Sequence, residues 1–182
     1  MSNLTFRTLT AADAPEYQRL RLESLVQNPE NFLSTFESEK NRRLENFEQD
    51  LEGAKFGPVY GYHGIFQDNQ LLGYLQIDTS FLPKQRHLAF LYSLYISATA
   101  RRQGLAKKLC HYVLGLLKSQ TQVELIYLSY NGRNEAGKAF YKALGFKRYG
   151  VKVNAIKWQN QYDDEVEAVF DLNKYKPLAD AA

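Results

Sequence analysis

The 182-residue sequence has one cysteine, one tryptophan and three histidines, and these scarcities exclude whole classes of chemistry. Cys110 alone forms no internal disulfide, and His63, His87 and His111 stand singly at no spacing that suits zinc, so no structural metal is expected. No segment approaches the roughly 18 apolar residues of a membrane span. The opening MSNLTFRTLTAADA lacks the basic start and apolar run of a secretory signal, so the expected setting is cytoplasmic, with no membrane partner. The Walker pattern G-x-x-x-x-G-K-S/T and the dinucleotide pattern G-x-G-x-x-G are both absent. No repeat and no low-complexity segment is present.

What is present is ordinary globular material: 45% hydrophobic and 24% charged residues, enough for one core. At this length one domain is expected, over residues 1–173, with 174–182 as a frayed tail. The net charge of +3 is too mild to imply nucleic acid, and no nucleic-acid partner is expected. The local distribution says more. Arg101, Arg102, Lys107, Lys108 and Lys118 lie together with no acid between them, either a solvated helix face or a seat for a small polyanion.

Apolar periodicity gives the order β, α, α, β, β, β, α, β, α, β, β. The alternation from Leu4 predicts a first strand, and a helix follows from Thr10 or Asp13 to the stop at Asn28-Pro29. Glu37 to Leu51 reads as a second helix. Tyr60–Gln67 and Gln70–Thr79 read as a hairpin turned at Asp68-Asn69, two residues that tolerate positive φ. Leu88–Ile96 is almost continuously apolar, as expected of a central strand. A helix over Gly104–Leu117 and a strand over Val123–Tyr130 complete a strand–helix–strand unit, which requires parallel strands. Asn134 caps a helix that ends at Leu144 with Gly145 as its left-handed stop, and two strands finish the chain.

The chemistry concentrates between Leu94 and Phe146. Residues 94–106 place a glycine turn between a buried strand and the first turn of a helix, where free N–H groups and the helix dipole attract phosphate. Gly104 either admits a phosphate to the backbone or only permits tight packing. Asn134 and Tyr141 are seven residues apart, about 700° around a helix, so they share a face and lie roughly 10 Å apart along its axis. Gly137 between them costs the helix about 1 kcal/mol, which is understandable if something presses on the backbone there.

These residues resemble the GNAT superfamily of acyl-CoA-dependent N-acyltransferases. Arg101-x-x-Gly104-x-Ala106 matches the family's Arg/Gln-x-x-Gly-x-Gly/Ala signature, preceded by Leu94-Tyr95-Ile96 at its strand-ending L-Y-V. Asn134, Tyr141, Gly145 and Phe146 match N-x-x-A-x-x-x-Y-x-x-x-G-F, with Gly137 in place of the alanine. The resemblance implies an α/β (α+β) fold with a mixed, mostly antiparallel sheet, flanking helices and one parallel strand pair at the cofactor cleft. It implies acetyl-CoA as cosubstrate, held by Leu94, Ile96, Arg101, Arg102, Gln103, Gly104, Leu105, Ala106, Asn134 and Tyr141. Catalysis would fall to the Ile96 backbone, which steadies charge on the carbonyl oxygen of a tetrahedral intermediate, and to Tyr141 as proton donor to the CoA sulfur.

Two positions depart from the pattern. Ala98 replaces a frequent proline, and Tyr92 replaces the glutamate that often serves as base, so the resemblance supplies no base here. The implied activity is N-acetylation of a primary amine, with a small-molecule acceptor; a catalytically silent acyl-CoA-binding module is the alternative. The oligomeric state is open, a homodimer included. Asp163, Asp164 and Glu165 read as an acidic turn that either receives a cationic amine or is a solvated hairpin. His87 could reach a substrate pocket from the start of the central strand, and Cys110 reads as a small core residue.

Overall fold

A computed structural model of the chain describes residues 4–177. Seven strands are present among them: β1 Leu4–Thr8, β2 Gly61–Gln67, β3 Gln70–Thr79, β4 Leu88–Ile96, β5 Leu125–Asn131, β6 Lys147–Trp158 and β7 Gln161–Asp171. They form one sheet in the order β1-β2-β3-β4-β5-β7-β6. Only β4 and β5 are parallel neighbours; the other pairs are antiparallel. The helices are α1 Ala14–Gln27, α2 Phe36–Glu39, α3 Leu44–Asp50, α4 Leu105–Gln120 and α5 Glu135–Leu144. This is the mixed, mostly antiparallel architecture with one parallel pair that the sequence implied.

The amphipathic pattern decides which face each helix covers. Leu105, Leu109, Val113 and Leu117 of α4 fall on one stripe and bury against Ile65, Leu75, Ile77, Leu91 and Ile126 of the sheet. On the opposite face Tyr17 and Leu20 of α1 and Phe47 of α3 pack on Phe66, Tyr74 and Tyr95. The β2–β3 hairpin turns at Asp68 (φ 49°) and Asn69 (φ 66°), both left-handed as expected.

Three expectations need correction. The helix expected over Glu37–Leu51 is two helices, α2 and α3, with a break at 40–43. Glu39 turns inward at this break, where it is buried and accepts from Arg21 at 2.7 and 3.0 Å, and that long-range pair overrides the local periodicity. The run Asp163–Glu165 is not a turn but part of β7. The hairpin turns instead at Gln159 (φ 47°) and Asn160 (φ 62°). The segment expected to fray from Lys174 begins with an ordered turn, Leu172–Lys174, and the Tyr175 hydroxyl donates to the His111 carbonyl at 3.0 Å; residues 178–182 lie outside the described residues.

Candidate active site

β4 and β5 pair only over Leu88–Phe90 with Leu125–Tyr127, and then splay. Part of the divergence comes from a bulge. Tyr92 lies opposite Gln76 and Tyr95 opposite Tyr74, so β4 uses one extra residue there, with Ser93 at φ 50°. The gap opens a cleft of about 750 Å³ that crosses the sheet. The Ser97 N–H bonds the Leu72 carbonyl at 2.8 Å and Ile96 faces Gly73, so ladder alternation turns the Ile96 N–H and C=O away from β3 and into the gap.

At one end of the cleft lies the glycine turn. Gly104 is the N-cap of α4 in the left-handed conformation (φ 72°, ψ 10°), a region that favours glycine. It has no side chain to cap the helix, so the amides of the first turn remain free, and that turn carries no acid. A Cβ at Gly104 would meet nothing within 4 Å, so the backbone is open to a ligand. Leu94, Ile96, Arg101, Arg102, Gly104, Leu105, Ala106, Asn134 and Tyr141 all line the cleft. Gln103 does not; it is exposed between the left-handed Arg102 and Gly104, on the outer side of the turn. The Leu105 side chain is core, so only its backbone is available to a ligand.

Two sets of contacts, one to Glu23 of α1 and one through Arg101 to Asn28 just past its end, hold this strand end. Glu23 Oε1 accepts from the Tyr95 hydroxyl at 3.0 Å, the Ser97 hydroxyl at 2.9 Å and the Ala98 N–H at 2.9 Å. Alanine in place of proline therefore supplies a donor that proline would lack. Burial pushes the Glu23 carboxyl up, but those three bonds and nearby Arg19 outweigh it and hold it below the usual range. Arg101 is the second contact: its Nε donates to the Ile96 carbonyl at 3.2 Å and its Nη2 to Asn28 Oδ1 at 2.6 Å.

On the facing helix, Asn134 Oδ1 accepts from the Gly137 N–H at 2.7 Å. A Cβ at Gly137 would stand 2.6 Å from the Asn134 carboxamide. The close neighbour of Gly137 is thus the movable carboxamide of the Asn134 cap, which a small shift would reconcile with the alanine of the family pattern, so the glycine is not by itself a sign of a ligand. Tyr141 is half-buried, its ring packed near Tyr130 (5.7 Å), Phe140 (5.4 Å) and Phe146 (5.9 Å). Burial above all, and then Cys110 and Tyr130, push its phenol well up, so it stays protonated at neutral pH.

The other end of the cleft is lined by Phe32, Leu33, Tyr92, Ser129, Ile156 and Glu165. Of the acidic run only Glu165 reaches it. Asp163 pairs with Arg133 at 2.6 Å and accepts from Asn131, while Asp164 accepts from the Asn154 N–H at 2.9 Å. Glu165 accepts from the Ser129 hydroxyl at 2.5 Å and from Lys152 at 3.0 Å. The Ser129 bond, against opposing burial, and then Lys152 hold its carboxyl below the usual range. His87 immediately precedes β4, at the end of the strand far from Ile96, and lines a separate shallow site with Lys118 and Glu124. Cys110 is core, its thiol pushed up to about 12 by burial.

The contacts of Glu23 with the end of β4 and of Arg101 with Asn28 leave no local sequence signal, because each joins residues more than 70 positions apart.

Comparison with known proteins agrees with this geometry. A mycothiol acetyltransferase of Salinispora tropica is 28% identical over 109 residues, 58% of this chain and 36% of that protein, so the match spans about a third of the curated relative's length. Among solved structures, a ribosomal-protein-alanine N-acetyltransferase from Brucella melitensis superposes with TM-score 0.78 at 19% identity, covering 92% of this chain and 99% of that one. The protein yncA from Salmonella typhimurium, solved with its cofactor acetyl-CoA, superposes with TM-score 0.79 at 15% identity and covers 100% of each chain. The model of the acetyltransferase (GNAT) family matches residues 15–146, and the chain belongs to that family.

Proposed function

We propose that this protein is an N-acetyltransferase that moves an acetyl group from acetyl-CoA to a primary amine of a small molecule in the cytoplasm. The observation that carries this reading is the uncapped turn at Gly104, with its open backbone and free amides, at the mouth of a cleft that crosses the sheet past Ile96. The residues present fit the cosubstrate. The amides of 104–106 would hold the pyrophosphate, with the cation of Arg102 beside them, while the Arg101 guanidinium is spent on Ile96 and Asn28 and acts by positioning. The Ile96 N–H would meet the thioester oxygen as negative charge develops on it.

An alkylammonium with a pKa near 10 must lose its proton before it attacks. Glu165, anionic and fixed by Ser129, suits the reception of that ammonium better than its deprotonation, since its lowered pKa makes it a weak base. Tyr141 would donate toward the departing thiolate. Its raised pKa makes full transfer to a thiolate of pKa about 8.5 unfavourable, so its share is a hydrogen bond that strengthens as the C–S bond breaks. One observation favours a catalytically silent acyl-CoA binder instead: Tyr92 places no carboxylate on β4 at the gap. Thiol release from acetyl-CoA against a panel of amines decides between them. Amine-dependent release supports the enzyme; tight binding of acetyl-CoA with no release from any amine supports the silent module.

A further inference from the structure

On the α1 face of the sheet, beside the acceptor end of the cleft, aromatic rings remain exposed around one carboxylate. Phe56, Tyr60 and Phe81 form a mutually packed trio with centroids 5.4 to 6.1 Å apart, and Phe56 and Phe81 are each more than half exposed. Phe90 and Tyr92 of β4 are stacked at 6.4 Å. Asp78 of β3 lies between these groups: it is the cross-strand partner of Phe90, its neighbour Gln76 is the partner of Tyr92, and Tyr60 lies against it.

Asp78 is half-buried and accepts from Gln76 Nε2 at 3.3 Å, but it makes no ion pair among the described residues. Glu165 has Lys152, and Asp163 has Arg133. A carboxylate withdrawn from water without a cation is costly, and burial accordingly pushes the Asp78 carboxyl up. Aromatic faces around such a group favour one class of ligand, an alkylammonium, which gains from the ring quadrupoles and from the carboxylate together. On the rim the Lys55 ammonium stands 5.3 Å from the centroid of its neighbour Phe56, but its charge is taken by Glu52 and does not serve Asp78.

We propose that Asp78, flanked by Tyr60, Phe90 and Tyr92, binds a second cationic group of the acceptor, so that the substrate is a diamine or polyamine. The proposal rests on the acetyltransferase reading of the cleft. Tyr92 makes the two sites continuous, since it lines the cleft and faces the carboxylate. At about 3.4 Å per strand residue, and allowing for the bulge at Ser93, Asp78 lies roughly 10 Å along β4 from Leu94. An extended diamine of that length would seat one ammonium at Asp78 while its other nitrogen enters the gap.

The test compares α,ω-diaminooctane with n-octylamine, which differ in the second ammonium, as acceptors for the parent protein and for Asp78→Asn. The diamine should be preferred in kcat/KM by about tenfold or more, the scale of one charge-assisted hydrogen bond, and Asp78→Asn should remove that preference without changing the KM for acetyl-CoA. Equal use of both amines by the parent, or a preference that survives Asp78→Asn, overturns the proposal. If no amine is turned over, the acetyltransferase reading fails. Calorimetric titration of diaminooctane into the acetyl-CoA-saturated protein still decides the second site: binding lost in Asp78→Asn supports it, and no binding or unchanged binding refutes it.

Discussion

Replacing Glu23 with alanine takes one carboxylate oxygen from three donors at once, the hydroxyls of Tyr95 and Ser97 and the N–H of Ala98. A hydrogen bond to a charged group contributes about 1.5–3 kcal/mol when buried, but the Glu23 side chain is 23% exposed and water can replace part of the loss. A net cost of about 2–4 kcal/mol follows, equivalent to a fall of roughly 4–16 °C in Tm for a domain of this size. The donors belong to the strand end that carries Ile96 and to the approach to Gly104. The KM for acetyl-CoA should therefore rise by about tenfold or more, beyond any loss in kcat. Glu23→Gln keeps an acceptor oxygen and should recover most of the cosubstrate affinity. The pH dependence has a definite sign. A carboxyl whose folded pKa lies below its unfolded value stabilises the fold above the unfolded pKa, and this contribution is lost as pH falls through the folded pKa. The acid limb of the parent's stability profile should flatten in Glu23→Gln. Thermal melts from pH 3 to 7 and acetyl-CoA kinetics provide both readouts. An alanine variant with unchanged Tm and unchanged KM for acetyl-CoA would refute the argument.

Tyr141→Phe keeps the ring among Tyr130, Phe140 and Phe146 and removes only the hydroxyl. Steady-state thiol release should show kcat reduced by about 10²-fold with acetyl-CoA affinity intact; a kcat within about threefold of the parent would make Tyr141 a packing residue. Cys110, buried and with its thiol near 12, should resist iodoacetamide in the native protein and react on unfolding. Rapid native alkylation, followed by mass spectrometry, would contradict its placement in the core. Glu165→Gln should raise the KM of the best amine more than that of acetyl-CoA, and an equal effect on both would remove Glu165 from the acceptor end.

The parts of the site legible in the sequence are those where backbone conformation restricts residue choice. Gly104 and Gly145 stand where φ is 72° and 101°, and Asn134 caps α5, so local rules were enough to place the turn and both ends of the facing helix. Strand β4 is equally plain, because its nearly unbroken apolar run suits a strand with neighbours on both sides, although only Ala89, Leu91, Tyr95 and Ile96 of it are buried. Tertiary contacts defeated local reading elsewhere. Periodicity carried one helix through 37–51, but Glu39 answers to Arg21, 18 residues earlier. Three successive acids resembled a turn, yet each has a partner across or beside β7, in Arg133, Asn154 and Ser129. Glu23 and Asp78 look like ordinary surface acids in sequence, and their roles exist only once α1 meets the end of β4 and β3 pairs with β4.

If the turn at Gly104 receives the phosphates of acetyl-CoA, calorimetric titration of acetyl-CoA will distinguish the parent protein from Gly104→Val. Valine adds a branched side chain where the space beside the backbone is open and φ is 72°, so circular dichroism must first show the variant folded. The parent should bind saturably at one site, and the folded variant should lose about tenfold or more in affinity. Affinity unchanged by the substitution, or no binding to the parent, would contradict binding of the phosphates at this turn.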